Sequence, residues 1–217
     1  MGDAPKPGHC VPEGRYTHLD PLSPARHGQA LLQSAFRPGA EDRFRYLFDA
    51  PPVDQLSFAA LLKTASTTQD PLFIAVLDQA TGRAEGRQSL MRIDPVRGVI
   101  ENGHILWGPA IARTHVAMEA FILLASYAFD KLGYRGLEWK YDGRNTPSRN
   151  AAAQLGFAVE GIFRHHMVMK GESRDTAWFS IIGPEWPGVS AALTAWVAPS
   201  NFDETGQQRR RLEDFRA

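Results

Sequence analysis

The spacing of apolar residues changes along the chain, and each spacing predicts a particular kind of element. In the first third, apolar residues recur every three or four positions at 27–37 and 54–66, which predicts two amphipathic helices. From residue 72 the pattern shifts to short apolar runs separated by turn residues, which predicts an antiparallel meander. The strands in this part of the chain are predicted at 16–22, 72–77, 84–93 and 97–107.

The second half of the chain alternates between helices and strands. Its most apolar helix begins after Thr114, whose hydroxyl suits a helix N-cap, and ends before Gly133. Another helix begins with Pro147 in its first turn and ends at Gly156. The strands are predicted at 137–142, 157–169 and 174–182, and the last two form a hairpin.

The order of these elements is strand, two helices, three strands, helix, strand, helix and two strands, which predicts an α+β fold. Beyond residue 184 the chain contains Trp186, Trp196 and Phe202, so we expect part of this tail to pack on the domain. The basic segment 209–211 is expected to be a solvated helix or a frayed terminus, because three charges steer a partner only weakly.

Composition and charge exclude several classes of protein. The 217 residues suit one medium-sized domain, and 24 basic against 24 acidic residues give a formal net charge of zero. A neutral chain has no electrostatic footprint for nucleic acid or an anionic membrane, and no apolar run is long enough to span a bilayer. The single cysteine, Cys10, is interpreted as an incidental thiol. Without an intrachain disulfide or a signal-peptide pattern, we expect a cytoplasmic protein.

Motifs for several kinds of chemistry are missing from the sequence. There is no glycine-rich loop for a nucleoside triphosphate or a dinucleotide, and no Gly-x-Ser-x-Gly elbow of a hydrolase. There is also no His-Glu-x-x-His or paired Cys-x-x-Cys motif. The adjacent His165 and His166 point to opposite faces of a strand, so we expect no metal. A reaction that needs neither a metal nor a covalent enzyme intermediate fits these absences.

A series of short stretches resembles the GNAT N-acetyltransferases, and within them the branch of the ribosomal-protein alanine N-acetyltransferases. The matching stretches are Trp107-Gly-Pro109, Met118-Glu-Ala120, Leu132-Gly133, Asn145-Thr-Pro-Ser148, Leu155-Gly-Phe157, Glu160-Gly161, Arg174-Asp-Thr176 and Glu185-Trp186. No single stretch is diagnostic, and their order and spacing carry the resemblance. It implies a GNAT domain at 15–186, an N-terminal extension at 1–14 and a C-terminal extension at 187–217.

The resemblance implies the GNAT fold, a mixed and mostly antiparallel sheet with helices on both faces, splayed between its fourth and fifth strands. Parallel strands that part expose backbone groups, which can pair with the pantetheine amides of acetyl-CoA. The helix after Thr114 would direct its free N–H groups toward the diphosphate of the same molecule. The residues expected to bind acetyl-CoA are Trp107, Arg113, Thr114, His115, Val116, Ala117, Met118, Asn145 and Ser148.

The chain departs from the family pattern at two places. Where the family carries glycines before the helix, this chain has Arg113-Thr114-His115, which we expect to crowd the backbone while adding charge. The alternative is that Arg113 and His115 are surface residues. Where many members carry a tyrosine acid, this chain has Ala152, which leaves Ser148 as the candidate proton donor to the CoA thiolate. Ser148 also suits the first turn of a helix, and that alternative stays open.

The attacking amine must lose a proton, and a carboxylate or a histidine can accept it. We expect Glu101 or His104, on the strand beside the splay, to be this catalytic base. Asp142, His165 and His166 are alternatives that the sequence does not separate.

The expected reaction is direct transfer of an acetyl group from acetyl-CoA to a primary amine, on a small molecule or a protein N-terminus. Trp107 is expected either to wall the acceptor pocket or to lie in the core, and Glu119 is expected to be structural. The glycine-poor loop and the missing tyrosine leave a second interpretation, a non-catalytic acyl-CoA sensor. A third is an interaction module that uses the tryptophan-containing tail. A homodimer is common in such folds, although no residue pattern here specifies one.

Overall fold

The structure, a computed structural model, describes residues 3–8, 12–36 and 40–216. Cys10 lies outside the described residues, and so does the prediction about its thiol. The strands are β1 (Thr17–Pro21), β2 (Leu72–Asp78), β3 (Arg83–Asp94), β4 (Val99–Trp107), β5 (Gly136–Asp142), β6 (Ala158–Met169) and β7 (Glu172–Ile182). The helices are α1 (Pro24–Ala35), α2 (Ala40–Phe44), α3 (Gln55–Thr67), α4 (His115–Ser126), α5 (Thr146–Leu155) and α6 (Trp186–Val197).

The seven strands form a mixed sheet in the order β1-β2-β3-β4-β5-β7-β6. Neighbouring strands are antiparallel except β4 and β5, which run parallel. These two strands pair only at 99–101 of β4 and 136–138 of β5, and then continue to Trp107 and Asp142 without pairing to each other. The predicted sheet, mostly antiparallel and splayed between its fourth and fifth strands, is confirmed.

Helices cover both faces of the sheet, as predicted. On one face, α4, α5 and α6 pack over the main hydrophobic core, which includes the fully buried Ile100, Phe121 and Leu137. α4 lies at its centre because almost every position of the helix is apolar, a composition typical of helices without a solvent face. On the other face, α1 and α3 pack over β2 and β3 around a smaller core.

The start of the helical region differs from the prediction for physical reasons. α1 begins at Pro24 rather than near residue 27, because Ser23 accepts the N–H of Arg26 and proline suits the first helical turn. α2 has no counterpart in the prediction, since five residues are too few to show a helical period.

The tail after β7 packs as a full helix on the main core. Trp186, at the start of α6, stacks on Phe129 with ring centroids 5.1 Å apart, and its indole donates to Asp130 Oδ1 at 3.1 Å. Leu193 is fully buried, so the tail is part of the same core as α4. The basic segment 209–211 is exposed and non-helical, and it precedes a short 3-10 turn.

Candidate functional site

A cavity of about 480 Å³ lies where β4 and β5 part. Its walls come from the diverging strands, from the first turns of α4 and α5, and from the segment that follows α2. Most of the site residues predicted from the sequence meet there. The predicted residues that line the cavity are Glu101, His104, Trp107, Arg113, Thr114, Ala117, Met118, Asn145 and Ser148.

Two predicted residues lie elsewhere. The His115 ring packs against Tyr16, with centroids 4.3 Å apart, and against Phe202 at 5.6 Å. Val116 is buried in the main core. Their side chains do not line the cavity, although their backbone belongs to the first turn of α4 beside it.

The first turn of α4 presents unpaired backbone donors. Thr114 caps the helix, because its hydroxyl accepts the N–H of Val116 at 3.2 Å. Among the described residues, the N–H groups of Arg113, His115 and Ala117 have no acceptor. Such donors, together with the positive end of the helix dipole, form an environment that suits an anion.

Arg113 occupies a backbone conformation that favours glycine. Its φ is +65°, in the left-handed region, where an L residue is disfavoured and glycine is not. The side chain itself is exposed. A glycine before this helix would therefore meet the backbone requirement without strain, and the arginine meets it at an energetic cost.

β4 carries a bulge at the mouth of the splay. Arg87 pairs with Leu106 and Ser89 with Gly103, so two residues of β4 lie opposite one residue of β3. His104 lies in this bulge with a φ of +49°. A bulge interrupts the ladder and redirects side chains, which explains how His104 comes to line the cavity.

The imidazole of His104 packs against two aromatic rings, with the charged Asp49, Arg87 and Arg92 nearby. The rings of Phe73 and Phe48 have centroids 5.1 and 5.5 Å from its own. Burial lowers the pKa of His104 below its usual value of 6.5. Nδ1 is buried and has no hydrogen-bond partner among the described residues. His104 is therefore a neutral imidazole at pH 7, with a ring nitrogen that no protein group uses.

Glu101 is engaged by two cations. One of its carboxylate oxygens lies 3.0 Å from Lys140 Nζ and 3.3 Å from an Arg92 nitrogen. Burial raises the pKa of Glu101 above its usual value, and the attraction of the two cations only partly offsets this effect. The ammonium of Lys140 also lies 3.9 Å from the centroid of Trp178. Glu101 is thus held in a fixed network of charges.

Ser148 lies in the first turn of α5, where Asn145 performs the capping. Asn145 Oδ1 accepts the Ser148 N–H at 3.1 Å, so the Ser148 hydroxyl is not needed as a cap. Instead, Ser148 Oγ accepts the indole N–H of Trp139 at 2.9 Å. This bond occupies a lone pair of Oγ and leaves the hydroxyl proton able to donate. Ala152 is fully buried and lies in the main core.

The side chain of Trp107 is fixed at the end of β4. Its indole Nε1 donates to Gln88 Oε1 at 3.3 Å, and the amide of the fully buried Gln88 donates to the Ala120 carbonyl at 3.1 Å. Trp107 is half-buried and lines the cavity. It therefore lies in a wall of the cavity and also packs on the core.

The alternative bases do not line the cavity. Asp142 is bound by Arg144, whose hydrogen bonds outweigh burial and hold the pKa of this carboxyl below its usual value. His165 is exposed, and His166 Nδ1 lies 2.9 Å from Thr176 Oγ1.

Glu119 has a structural position. Its carboxylate accepts the backbone N–H groups of Arg15, Tyr16 and Thr17 at 2.9, 2.6 and 2.8 Å. These bonds fix the start of β1 against α4.

The sequence interpretation missed several cavity residues. Phe48 belongs to the loop after α2, and Arg92, Lys140 and Arg174 come from β3, β5 and β7. Lys140 could have been found from the alternation of polar residues along the strand at 137–142. Arg174 stood within a matching stretch, but its burial depends on tertiary packing that the sequence does not reveal.

The described residues lack two features, a metal-binding cluster and a membrane-spanning helix. They contain no group of three or more His, Cys, Asp or Glu side chains able to hold a metal ion. None of their helices is long and apolar enough to cross a membrane.

Comparison with known proteins gives a consistent result. Residues 19–158 match the family model described as the acetyltransferase (GNAT) domain. The crystal structure of a GCN5-related N-acetyltransferase from Brucella melitensis is 50% identical in sequence, with a TM-score of 0.97. That match covers 99% of this chain and 97% of the Brucella chain.

Two further relatives extend the comparison. An uncharacterized N-acetyltransferase, p20, from Bacillus licheniformis is 34% identical over 92 residues. This match spans 41% of the chain and about half, 52%, of that relative's length. The fold also resembles an acetyl transferase from Salmonella typhimurium, which modifies the N-terminal serine of a 50S ribosomal subunit protein. The TM-score is 0.68 at 15% sequence identity, and the match covers 79% of this chain and 98% of the Salmonella chain. At that identity the likeness concerns the fold alone.

Proposed function

We propose that this chain, which belongs to the GNAT acetyltransferase family, transfers an acetyl group from acetyl-CoA to a primary amine by direct attack. The observation that carries the proposal is the cavity at the splay of β4 and β5. It is lined by the first turn of α4, with its unpaired backbone donors, by the neutral imidazole of His104 and by the hydroxyl of Ser148.

Acetyl-CoA fits the α4 side of this cavity. The diphosphate would accept hydrogen bonds from the free N–H groups of the first turn of α4, and the exposed guanidinium of Arg113 would add positive charge. The pantetheine arm would pair with the edge of β4 beyond Glu101, where β5 no longer pairs with it. Asn145 and Ser148, at the start of α5, would lie beside the thioester end.

His104 is the better candidate for the general base. A base must be unprotonated at the working pH and have a free lone pair. His104 meets both conditions, since burial lowers its pKa and Nε2, the ring nitrogen that is not enclosed, has no hydrogen-bond partner among the described residues. Glu101 is restrained by Lys140 and Arg92, and we assign it to ordering this wall of the cavity.

The reaction then follows from the positions of these groups. The neutral amine attacks the thioester carbonyl carbon, and His104 accepts the proton that the amine loses. The carbon–sulfur bond breaks, and the sulfur leaves with its electron pair as a thiolate. The Ser148 hydroxyl donates a hydrogen bond to this thiolate, an interaction that exists only as negative charge develops and so lowers the barrier.

Thiol release tests the proposal directly. Purified protein, acetyl-CoA and a panel of primary amines should give CoA thiol at a rate that depends on the amine. Acetyl-CoA should also raise the thermal midpoint, because a ligand that binds only the folded state stabilises it. Absence of both effects, at ligand concentrations far above micromolar, would reject the proposal.

A second candidate is a non-catalytic acyl-CoA sensor. The fully buried Ala152, where many family members carry a tyrosine acid, favours it. A thermal shift with acetyl-CoA but no thiol release with any amine is the result that this alternative predicts.

A further inference from the structure

Arg174 is a buried cation in the cavity wall, and no carboxylate of the described residues pairs with it directly. Its residue is 5% exposed, and it lines the same cavity as His104 and Ser148. Nη1 donates to the sulfur of Met169 at 3.4 Å, which is a weak acceptor. Nε is buried without a hydrogen-bond partner, and no carboxylate of the described residues lies within ion-pair distance of the guanidinium.

The nearby carboxylates are already engaged. Asp142 and Glu101 both attract Arg174, but Asp142 is paired with Arg144, and Glu101 with Lys140 and Arg92. Arg174 therefore has no direct ion-pair partner among the described residues, although Asp142 and Glu101 lie near enough to attract it.

A buried charge without a direct partner is expensive, and a ligand of opposite charge that pairs with it offsets that cost. Nε of Arg174 is enclosed and Nη1 donates to Met169, so Nη2 is the remaining guanidinium nitrogen, and it has no acceptor among the described residues. A guanidinium N–H that donates to a carboxylate oxygen forms a charge-assisted hydrogen bond, which is stronger than a neutral one.

Arg174 and the candidate base belong to one wall of the cavity. The ring of Phe48 contacts both, with the Arg174 guanidinium 5.5 Å from its centroid and the His104 ring centroid 5.5 Å away. The loop that carries Phe48 is fixed across this wall, because Lys170 Nζ donates to the carbonyls of Phe44 and Asp49 at 2.7 and 2.9 Å. An acceptor whose amine reaches His104 would place its remaining atoms beneath this loop, toward Arg174.

We propose that the acceptor is a small amine that also carries a carboxylate, which Arg174 binds through Nη2. This inference rests on the proposed function, since it names the acceptor of the same site. The acetyl group is transferred as described above, and the carboxylate is only bound.

Matched pairs of acceptors test the inference. Glycine, β-alanine and 4-aminobutyrate are each compared with the corresponding carboxamide, with rates expressed per concentration of free amine so that differences in amine pKa cancel. The best carboxylate should exceed its carboxamide in kcat/KM by about 10- to 100-fold, the range of a charge-assisted hydrogen bond. Aminomethylphosphonate is tested as well, as an amine that carries a phosphonate in place of the carboxylate. A higher kcat/KM for it than for all three carboxylates would overturn the assignment to a carboxylate.

Variants of Arg174 separate binding from structure. Arg174→Gln should lower kcat/KM for the best carboxylate by about 10- to 100-fold and leave the carboxamides within about twofold. The matched control is Arg97→Gln, which removes the same charge from an exposed position and should change neither rate. Arg174→Met should raise the thermal midpoint, because it removes an unpaired buried charge, whereas a structural arginine would lower it.

The outcomes distinguish the two proposals. Equal turnover of carboxylates and carboxamides, or a loss of thermal stability in Arg174→Met with unchanged selectivity, would overturn the inference and leave the acetyltransferase proposal standing. No thiol release with any amine would overturn both.

Discussion

Replacement of Ser148 by alanine separates a catalytic hydroxyl from a structural one. The hydroxyl is proposed to donate one hydrogen bond to a charged thiolate, and a bond to a charged group contributes about 1.5–3 kcal/mol. This energy corresponds to a fall in kcat of roughly 10- to 150-fold. Affinity for acetyl-CoA should stay within about threefold, since the thiolate exists only after the carbon–sulfur bond begins to break.

The same substitution has a second, independent effect. The nearly buried indole N–H of Trp139 loses its acceptor at 2.9 Å, which costs about 1–3 kcal/mol of folding free energy. For a chain of this size, each kcal/mol lowers the thermal midpoint by about 2–4 °C.

Two further variants make the Ser148 test decisive. Ser148→Thr keeps a hydroxyl and should retain most of the turnover. Thr146→Ala removes an exposed hydroxyl from the same helical turn and should change nothing. Pre-steady-state thiol release measures the chemical step, and isothermal titration measures CoA affinity. A kcat for Ser148→Ala within threefold of the wild type, with a lowered thermal midpoint, would show that the hydroxyl serves only Trp139.

Three other substitutions test separate parts of the structure. With rates expressed per concentration of free amine, His104→Gln should remove the acid limb of the pH profile of kcat/KM. In the wild type that limb lies below pH 6.5, because burial lowers the His104 pKa and protonation removes the base. A limb above pH 6.5, or a limb that the variant retains, would exclude His104 as the general base. Folding stability should also fall below pH 6.5 in the wild type, because the unfolded state binds the proton more tightly, and urea titrations should show a weaker fall in the variant. Arg113→Gly should raise the free energy of unfolding by about 1 kcal/mol, because a φ of +65° suits glycine. The affinity for CoA should fall a few-fold, because an exposed positive charge is lost. A lowered thermal midpoint would contradict the expected gain in stability. Glu119→Gln should lower stability by about 2–4 kcal/mol in urea titrations, because one of its two acceptor oxygens becomes a donor facing backbone N–H groups; a loss below 0.5 kcal/mol would contradict it.

The sequence predicted those parts of the fold whose signal is local. The helix after Thr114 and the helix before Gly156 carry their own caps, and the hairpin of β6 and β7 carries its own turn, so their starts were found near the observed bounds. The first of these helices was predicted to end before Gly133; α4 ends at Ser126, and a π-helical turn continues it from Tyr127 to Lys131. The parting of β4 and β5 is a tertiary property. It followed from the resemblance to a family and not from the spacing of residues.

The positions of side chains depended on contacts that are distant in sequence. His115 was expected at the diphosphate site, yet its ring packs between Tyr16 and Phe202, from opposite ends of the chain. His104 was named as a candidate, but its bulge and positive φ have no sequence signature. The loop after α2 joins the site through Lys170, which lies more than a hundred residues away.

The contact between Phe202 and His115 couples the last fifth of the chain to the first residue of α4. Trp196 of α6 lines the cavity and also packs edge-on against Phe202. A chimaera that joined the strands of this protein to the tail of a relative would therefore alter the end of the cavity proposed to hold the diphosphate. Grafts between relatives should carry residues 186–216 together with α4 as one block, and exchange of acceptor specificity is better attempted at the opposite wall, around Phe48 and Arg174.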